Sequence, residues 1–273
     1  APTMPTMAWV LDLDGVVWLG DQPVAGAAGA VAQLRDRGTR VMFLTNNSSR
    51  RVGEYVERLG AMGIPVEEDD ILTSAQAAAS LVEPGTTALV CGGPGVEEAL
   101  RKRGVHTVAE GPADTVVVGW HREFDFGRLT AATSCVLGGA RLVGTNEDAT
   151  FPTSEGLLPG AGAILAAVAF ATGAEPTVAG KPHQPVADLL AGRVKEVDLM
   201  VGDRPSTDGL LARRLHTRFG LVLTGVTPAG HGPVDPAPDV EADDLAALVA
   251  TGGTGGTAGA QLGAAQPGAA RSR

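Results

Sequence analysis

The residues best placed to do chemistry are the two aspartates that follow the first apolar segment of the chain. Asp12 and Asp14 flank Leu13 at the end of the run that starts at Ala8, and Gly15 follows them. Such an apolar run predicts a strand buried on both faces of a parallel sheet. On an extended backbone, residues i and i+2 point the same way, so both carboxylates could address one cation or share one proton. The alternative is an acidic turn, since Asp-Gly is common turn chemistry.

A second acidic pair and an isolated lysine occur later in the chain. Asp203 follows the apolar run 197–201, and Asp208 lies in the first turn of the helix predicted after it. Lys181, one of only three lysines, stands between a glycine and a proline at a predicted strand end. Its ammonium could hold a phosphoryl oxygen or pair with a carboxylate. The alternatives are a helix-capping aspartate and an exposed loop lysine.

A polar segment, TNNSS at 45–49, joins the apolar run 40–44 to a helical pattern that begins at Val52. Free backbone N–H groups and the helix dipole at such a junction suit a phosphate group. The same residue types are favoured as ordinary helix caps, so the segment alone leaves both interpretations open. The five histidines show no ligand spacing such as HxxxH, which argues against a zinc site.

Alternating strands and helices must position these groups. Apolar runs predict strands at 8–11, 40–44, 71–72, 88–91, 115–118, 141–143, 178–181, 197–201 and 221–223. Helical spacing predicts helices at 24–37, 52–62, 74–81 with Ser74 as cap, 95–103, 129–137, 160–171, 184–193, 207–216 and 243–249. This alternation indicates an α/β fold with parallel sheets. A new series of elements begins near Pro84, and the strand at 178–181 is expected to resume the first series.

Composition limits the partners and the compartment. The net charge of −10 argues against nucleic acid or an anionic membrane as a partner, so an anionic substrate would need a local source of positive potential. Two cysteines and no recognisable targeting signal predict a cytoplasmic protein. The longest apolar stretch, 161–171, is too short to span a bilayer.

Four motifs in this order resemble those of the haloacid dehalogenase (HAD) superfamily: DLDGV at Asp12, TNNSS at Thr45, GKP at Lys181 and GDRPSTD at Asp203. The flanking segments LTNNSSR, LPGAGAI, VAGKPH and VLTGVT are similar to those of the subclass IIA phosphatases. The resemblance covers Met7 to about Val249. It implies a Rossmann-like parallel-sheet core, residues 1–83 and 178–250, with an inserted α/β C2-type cap at 84–177. We expect the Gly/Ala-rich tail, 251–273, to be disordered.

The same resemblance implies a Mg²⁺-dependent phosphatase that works through an aspartyl-phosphate. Asp12 would be the nucleophile, and Asp14 would be the general acid and then the general base. Mg²⁺ would bind the Asp12 carboxylate, the Asp14 backbone carbonyl and Asp203. Lys181 would neutralise charge on the transferring phosphoryl group, and Asp208 would orient Lys181 or a metal-bound water.

Substrate contacts are implied at two places. Thr45 and the amides of Asn46 and Asn47 would hold phosphoryl oxygens, and the cap loop 145–152, with Asn146 and Asp148, would contact the substrate. Pyridoxal-phosphate phosphatases tend to carry a histidine where this chain has Phe151, which argues against that substrate. We therefore expect a small phosphorylated metabolite, with glycerol phosphate or phosphoglycolate preferred over sugar phosphates, nucleotides and pyridoxal phosphate.

Two other classes are weighed against the phosphatase. A non-catalytic phospho-ligand sensor on the same fold should have lost a motif residue, yet Asp12, Asp14, Lys181 and Asp203 are all present. A receiver-like signalling domain does not accommodate the long insertion between Thr45 and Lys181. The phosphatase is therefore favoured, and a homodimer is left open.

Overall fold

Strands and helices alternate along the chain, as the apolar periodicity predicts. The computed structural model describes residues 7–153 and 156–253, which form fifteen strands and nine α-helices. The strands are β1 (Ala8–Leu11), β2 (Trp18–Leu19), β3 (Gln22–Pro23), β4 (Arg40–Thr45), β5 (Ile71–Thr73), β6 (Thr87–Cys91), β7 (His106–Val108), β8 (Thr115–Val118), β9 (Arg141–Gly144), β10 (Thr150–Thr153), β11 (Gly156–Pro159), β12 (Thr177–Val178), β13 (Val197–Gly202), β14 (Arg218–Val222) and β15 (Val240–Ala242). The helices are α1 (Ala27–Asp36), α2 (Val52–Ala61), α3 (Ser74–Ser80), α4 (Pro94–Lys102), α5 (Phe126–Leu137), α6 (Ala161–Thr172), α7 (Gln184–Ala191), α8 (Leu210–Arg214) and α9 (Leu245–Ala250).

The first sheet has six parallel strands in the order β15-β14-β13-β1-β4-β5. Leu11 of β1 pairs with Val201 of β13 on one side and with Phe43 of β4 on the other. The connections run outward in opposite directions from β1 and β13, so these two strands flank the topological switch point. Open α/β sheets place their ligand crevices there, outside the carboxyl ends of the strands.

Both faces of the first sheet are covered, which explains the uninterrupted apolar run in β1. All four residues of β1 are buried. Val10 packs in one core cluster with Met42 and Met200, whereas Leu11 packs in another with Phe43 and Val201. The predicted doubly buried strand is confirmed, and it holds the carboxyl end of β1 at a fixed position.

The second sheet lies between β5 and β13 in the sequence. It has five parallel strands in the order β12-β9-β8-β6-β7. Helices α4, α5 and α6 connect its strands and pack against it. The predicted fold class is confirmed: a Rossmann-like parallel core carries an inserted α/β cap. The exact limits of the domains remain a prediction.

The expectation that 178–181 returns to the first sheet is wrong. Thr177 and Val178 form β12, the edge strand of the second sheet, and pair with Val143 and Gly144. The backbone N–H of Ala179 continues this pairing by donating to the carbonyl of Gly144. A short apolar pattern does not specify which sheet a strand joins, because both sheets bury the same residue types. Lys181 consequently lies in the connection between the sheets.

Two predicted helices differ in detail. Thr73, not Ser74, caps α3: its hydroxyl accepts from the N–H of Gln76 at 3.2 Å, and the Gln76 amide accepts from the N–H of Thr73 at 2.9 Å. Thr73 rather than Ser74 is the N-cap because this capping box satisfies two backbone N–H groups that would otherwise lack a partner. The helix predicted at 207–216 is shorter, since a π-helical turn at Pro205–Gly209 precedes α8.

Two segments predicted to lack regular structure have some. The predicted cap loop 145–152 runs into β10, which pairs with β11 in an antiparallel hairpin. Residues 251–253 of the predicted tail form a turn in which the carbonyl of Gly253 accepts from the Arg218 guanidinium at 2.8 Å. Residues 1–6 and 254–273 lie outside the described part of the chain. Within that part, no helix combines the length and apolar character needed to cross a bilayer.

Candidate active site

Neighbouring strands of the first sheet bring two predicted site residues together. Asp12 follows β1 and Asp203 follows β13, and the Asp12 N–H donates to the Val201 carbonyl at 2.9 Å. Carboxylate oxygens of Asp12, Asp203 and Asp208 all lie within 4.8 Å of one another. All three side chains are buried. Parallel pairing at the switch point thus gathers carboxylates that are almost two hundred residues apart in sequence.

Lys181 lies in the same cluster. Its ammonium Nζ is 2.8 Å from Asp12 Oδ1 and 2.7 Å from Asp208 Oδ1, and the side chain is only 2% exposed. Burial lowers the pKa of Lys181, but the carboxylates of Asp12 and Asp208 outweigh it, so the net shift is upward. The lysine therefore remains a cation beside Asp12. The alternative of an exposed loop lysine is wrong.

Asn46 holds the Lys181 segment in place. Its Oδ1 accepts from the Lys181 N–H at 2.8 Å, and its Nδ2 donates to the Lys181 carbonyl and to Asp148 Oδ2, both at 3.1 Å. The Asn46 carbonyl accepts from Asn146 Nδ2 at 2.6 Å. The side chains of Asn46, Asn146 and Asp148 therefore dock the cap loop on the core. Burial raises the pKa of the Asp148 carboxyl, against the opposing effect of Arg204.

The other polar residues of TNNSS form a compact turn before α2. The Thr45 hydroxyl accepts from the Asn47 N–H at 3.0 Å, and Asn47 Oδ1 accepts from the Ser49 hydroxyl at 2.7 Å. The Tyr55 hydroxyl donates to the Asn47 carbonyl at 2.9 Å. Thr45 is the buried last residue of β4, next to the carboxyl end of β1. The turn is thus fixed from both sides.

The Asp14 carboxylate does not contact Lys181, the partner of Asp12. An extended backbone could have let both carboxylates reach the same cation, but the two side chains have different partners. Asp14 Oδ1 accepts from the indole N–H of Trp18 at 2.9 Å. Burial raises the pKa of Asp14, and the Trp18 hydrogen bond and the Arg58 charge only partly offset that effect. The half-buried carboxyl lines a cavity of about 180 Å³ between the two sheets' loops. The Asp14 side chain is therefore accessible to a ligand in that cavity.

The Asp203 carboxylate fits into a space that two glycines leave open. A Cβ atom at Gly225 would lie 1.8 Å from Asp203 Oδ2, and one at Gly15 would lie 2.4 Å from it. Asp203 Oδ2 accepts from the Val226 N–H at 2.6 Å. Burial and the nearby Asp208 carboxylate raise the pKa of Asp203 to about 6. Gly15 also has φ = +82°, so any side chain there would be strained as well as crowded.

The cluster fits a hard divalent cation. Three carboxylates face one ammonium, which leaves two negative charges uncompensated among the described residues of the site. Oxygen donors of this kind are the ligands that Mg²⁺ takes in proteins. Asp208 is already engaged, because its Oδ1 contacts Lys181 and its Oδ2 accepts from the Arg204 N–H at 3.1 Å. Asp12, whose Oδ1 contacts Lys181, and Asp203, whose Oδ2 accepts from the Val226 N–H, each keep a second oxygen without a hydrogen bond to a described residue, and that oxygen could bind an ion.

Several side chains of the site carry no recognisable pattern in the sequence. Arg58 lies over the Trp18 ring at 4.2 Å, and the rings of Trp120 and Phe151 are 4.9 Å apart. These residues, with Arg50 and Arg122, line the cavity beside Asp14. Phe151 belongs to the predicted substrate loop 145–152, whereas for the other residues only the tertiary arrangement reveals their place at the site.

Comparison with known proteins agrees with this geometry. The family described as haloacid dehalogenase-like hydrolase matches residues 9–106, and a second family of HAD-like hydrolases matches residues 178–248. The chain is 34% identical over 227 residues to the acid sugar phosphatase of Staphylococcus saprophyticus, covering 81% of this chain and 87% of that protein. It is 33% identical over 230 residues to the 5′-nucleotidase YutF of Bacillus subtilis, covering 82% and 89%.

The fold is also that of a solved phosphatase. The magnesium complex of the glycerol phosphate phosphatase Rv1692 from Mycobacterium tuberculosis superposes with a TM-score of 0.81 at 34% identity. The match covers 89% of this chain and 76% of that chain. With its sheet order, its acidic cluster and its buried lysine, the chain belongs to the haloacid dehalogenase-like hydrolases and is a phosphatase of the subclass IIA, p-nitrophenyl and glycerol-phosphate phosphatase type.

Proposed function

We propose that this phosphatase hydrolyses small phosphomonoesters with Mg²⁺, through a phosphoryl group carried on Asp12. The observation that supports this most strongly is the contact of 2.8 Å between Lys181 Nζ and Asp12 Oδ1 inside the acidic cluster. Burial and the nearby Asp208 and Asp203 carboxylates raise the pKa of Asp12, and the Lys181 ammonium opposes that shift in part by favouring the carboxylate. A buried carboxylate paired with an ammonium at a ligand crevice is suited to act as a nucleophile.

In the first step, a carboxylate oxygen of Asp12 forms a bond to phosphorus while the bond from phosphorus to the ester oxygen breaks. Asp14 donates its proton to the departing alcohol. In the second step, water attacks the same phosphorus, Asp14 takes the proton, and the bond to Asp12 breaks to release phosphate. The raised pKa of Asp14 supports this double role, because a general acid must hold its proton near neutral pH.

The remaining residues of the site are proposed to bind Mg²⁺ and the phosphoryl oxygens and to neutralise negative charge. Asp12, Asp203 and the Asp14 carbonyl are the proposed Mg²⁺ ligands; the bound ion would reduce repulsion between Asp12 and the anionic substrate. Thr45 and the amides of Asn46 and Asn47 are proposed to hold phosphoryl oxygens. Lys181 is proposed to neutralise charge on the transferring group, held in position by Asp208.

The cap loop is assigned a supporting task. Asn146 and Asp148 were proposed from the resemblance as substrate contacts, and their hydrogen bonds to Asn46 favour an indirect form of that role. By docking on Asn46, they would hold the cap over the crevice and limit the entry of water.

The size of the cavity favours a small leaving group. Its volume of about 180 Å³ is below the ~300–1,000 Å³ of sites that enclose drug-sized ligands. We therefore place glycerol phosphate or phosphoglycolate ahead of a nucleotide, a sugar phosphate or pyridoxal phosphate. The nucleotidase and the sugar phosphatase among the relatives support a nucleotide and a sugar phosphate as the alternatives, ahead of pyridoxal phosphate. The intact ion pairs at Lys181 disfavour a non-catalytic sensor.

Release of 4-nitrophenol from 4-nitrophenyl phosphate tests the proposal. We expect turnover with Mg²⁺, and its loss in EDTA and in the Asp12→Asn variant. The variant keeps the side-chain volume but lacks the charge needed to attack phosphorus. Equal turnover in Asp12→Asn, or full turnover in EDTA, would overturn the proposed mechanism.

A further inference from the structure

The cavity beside Asp14 carries a positive charge that the phosphoryl chemistry does not explain. Core residues Arg50 and Arg58 and the cap residue Arg122 all line it. The acidic residues among its described lining are Asp14 and Asp21. Three arginine side chains thus line one small cavity in a chain whose net charge is −10.

Arg58 is already engaged in the structure. Its guanidinium donates to the Gly20 carbonyl, lies 3.9 Å from Asp21 and stacks over Trp18. Burial, and next the neighbouring Arg50, lower the pKa of Arg58. Arg50 therefore lies close enough for its charge to act on that of Arg58, and the carboxylates of Asp14 and Asp21 oppose this effect.

The guanidinium N–H groups of Arg50 and Arg122 are available to bind a ligand. Neither guanidinium makes a hydrogen bond or ion pair with a residue in the described ranges 7–153 and 156–253. Arg50 is half-buried in the loop between β4 and α2, whereas Arg122 is exposed in the loop after β8, with its guanidinium 5.9 Å from the Trp120 ring centroid. One side chain therefore comes from the core and the other from the cap, on the two sides of the same cavity.

From these positions we propose that the leaving group carries a second anionic group, which Arg50 and Arg122 bind from opposite sides of the cavity. The inference rests on the proposed phosphatase function and narrows its substrate class to phosphate esters of hydroxy acids, or bisphosphates. Of the two preferred substrates it favours phosphoglycolate over glycerol phosphate, whose leaving group is neutral. Arginine suits this task because its planar fork of donors binds carboxylate and phosphoryl oxygens through paired hydrogen bonds.

The walls of the cavity set the length of such a substrate. Trp120 and Phe151 form an aromatic surface on the cap side, with ring centroids 4.9 Å apart. Asp14 lies at the same cavity and must reach the ester oxygen. A volume of about 180 Å³ leaves room for a short linker of a few carbon atoms between the ester oxygen and the second anion.

Three esters of equal chain length test the inference: 3-hydroxypropyl phosphate, 3-phosphooxypropanoate and propane-1,3-diyl bisphosphate. They differ only in a neutral, a carboxylate or a phosphoryl end. We expect kcat/KM with Mg²⁺ to be about tenfold to a hundredfold higher for at least one anionic ester, as hydrogen bonds to charged groups imply. The preferred ester identifies which anion is bound.

The variants Arg50→Gln and Arg122→Gln should each reduce this preference. The readout is the ratio of kcat/KM between the anionic and the neutral ester, in which any general effect on turnover cancels. Arg51→Gln is the matched control, because Arg51 is exposed and is absent from the cavity lining; its ratio should equal that of the wild type.

Turnover of all three esters without preference, or a preference unchanged in both variants, would overturn this inference while leaving the phosphatase intact. Absence of Mg²⁺-dependent turnover for these esters and for 4-nitrophenyl phosphate would overturn the proposed function, and this inference with it.

Discussion

The ammonium of Lys181 lies 2.8 Å from the Asp12 carboxylate, although 169 positions separate the two residues in the chain. The contact ties the segment after β12, which links the two sheets, to the carboxyl end of β1. It also gives a buried carboxylate the counter-charge that it needs to remain ionised.

Loss of the ammonium should destabilise the protein. In Lys181→Met, Asp12 and Asp208 remain buried without their cation, and breaking a buried pair costs about 3–5 kcal/mol. Urea denaturation of the metal-free protein measures the change in the free energy of unfolding. Lys195→Met, at an exposed site, is the control and should unfold like the wild type. A loss below about 1 kcal/mol would show that the buried pair contributes little to stability.

A methyl group at Gly225 should weaken the metal site. In Gly225→Ala the added Cβ would lie 1.8 Å from Asp203 Oδ2, so the carboxylate must move. Residues that support metal ligands typically contribute about tenfold to a hundredfold in metal affinity. Titration calorimetry with Mg²⁺ measures the effect. Gly232→Ala, where nothing lies within 4 Å of the added atom, is the matched control, and equal affinities in the two variants would contradict the assigned role of Asp203.

Metal binding should also depend on pH. Burial and the neighbouring Asp208 raise the pKa of Asp203 to about 6 in the metal-free protein, so below that pH a bound ion must displace a proton. The affinity for Mg²⁺ is therefore expected to fall as the pH decreases below about 6, by up to about tenfold per unit. Calorimetry in buffers of different ionisation enthalpy should detect release of the proton. Equal affinities at about pH 5 and pH 7 would refute this expectation.

The raised pKa of Asp203 also predicts how the free energy of unfolding of the metal-free protein depends on pH. Because the pKa of Asp203 is higher in the folded than in the unfolded state, folding binds a proton between pH 3.8 and about 6. The contribution of Asp203 is then fully present below pH 3.8 and is lost as the pH rises through about 6. Asp203→Asn should flatten this part of the stability profile; a profile identical to that of the wild type would argue against the shift.

Asn46 should act as the link between cap and core. In Asn46→Ala the buried N–H of Lys181 loses its acceptor, which we expect to cost about 1–3 kcal/mol in the free energy of unfolding. Turnover should fall as well, because Lys181 is no longer held beside Asp12. Gln33→Ala removes an exposed amide on α1 and serves as control. Wild-type stability and turnover in Asn46→Ala would mean that the link is dispensable.

The site residues that can be predicted from the sequence are those in short motifs at the ends of predicted strands. Asp12 and Asp203 both follow uninterrupted apolar runs. Because parallel sheets place their ligand crevices at the carboxyl ends of the strands, the sequence alone predicts that these two residues lie close together. The parallel α/β fold follows from the same alternation of patterns. The convergence of Lys181 required the resemblance to a family, since a lysine between glycine and proline has no periodicity to interpret.

The parts that sequence reasoning misses depend on tertiary contacts. The docking role of Asn46 arises from hydrogen bonds to Lys181 and Asp148, which are more than a hundred positions away. Assignment of Thr177–Val178 to the second sheet depends on pairing partners that an apolar pair does not specify. Arg50 and Arg122 resemble any solvated arginine until the fold places both at one cavity.

In the proposed mechanism Asp12 itself becomes phosphorylated during turnover. Borohydride reduces an aspartyl-phosphate to homoserine, so quenching a reaction with substrate and Mg²⁺ should mark the nucleophile for mass spectrometry of peptides. We predict homoserine at position 12 in the wild type, dependent on substrate and absent in Asp12→Asn. Conversion of a different carboxylate, with Asp12 unmodified in an enzyme that is turning over, would contradict the assignment of Asp12 as the nucleophile.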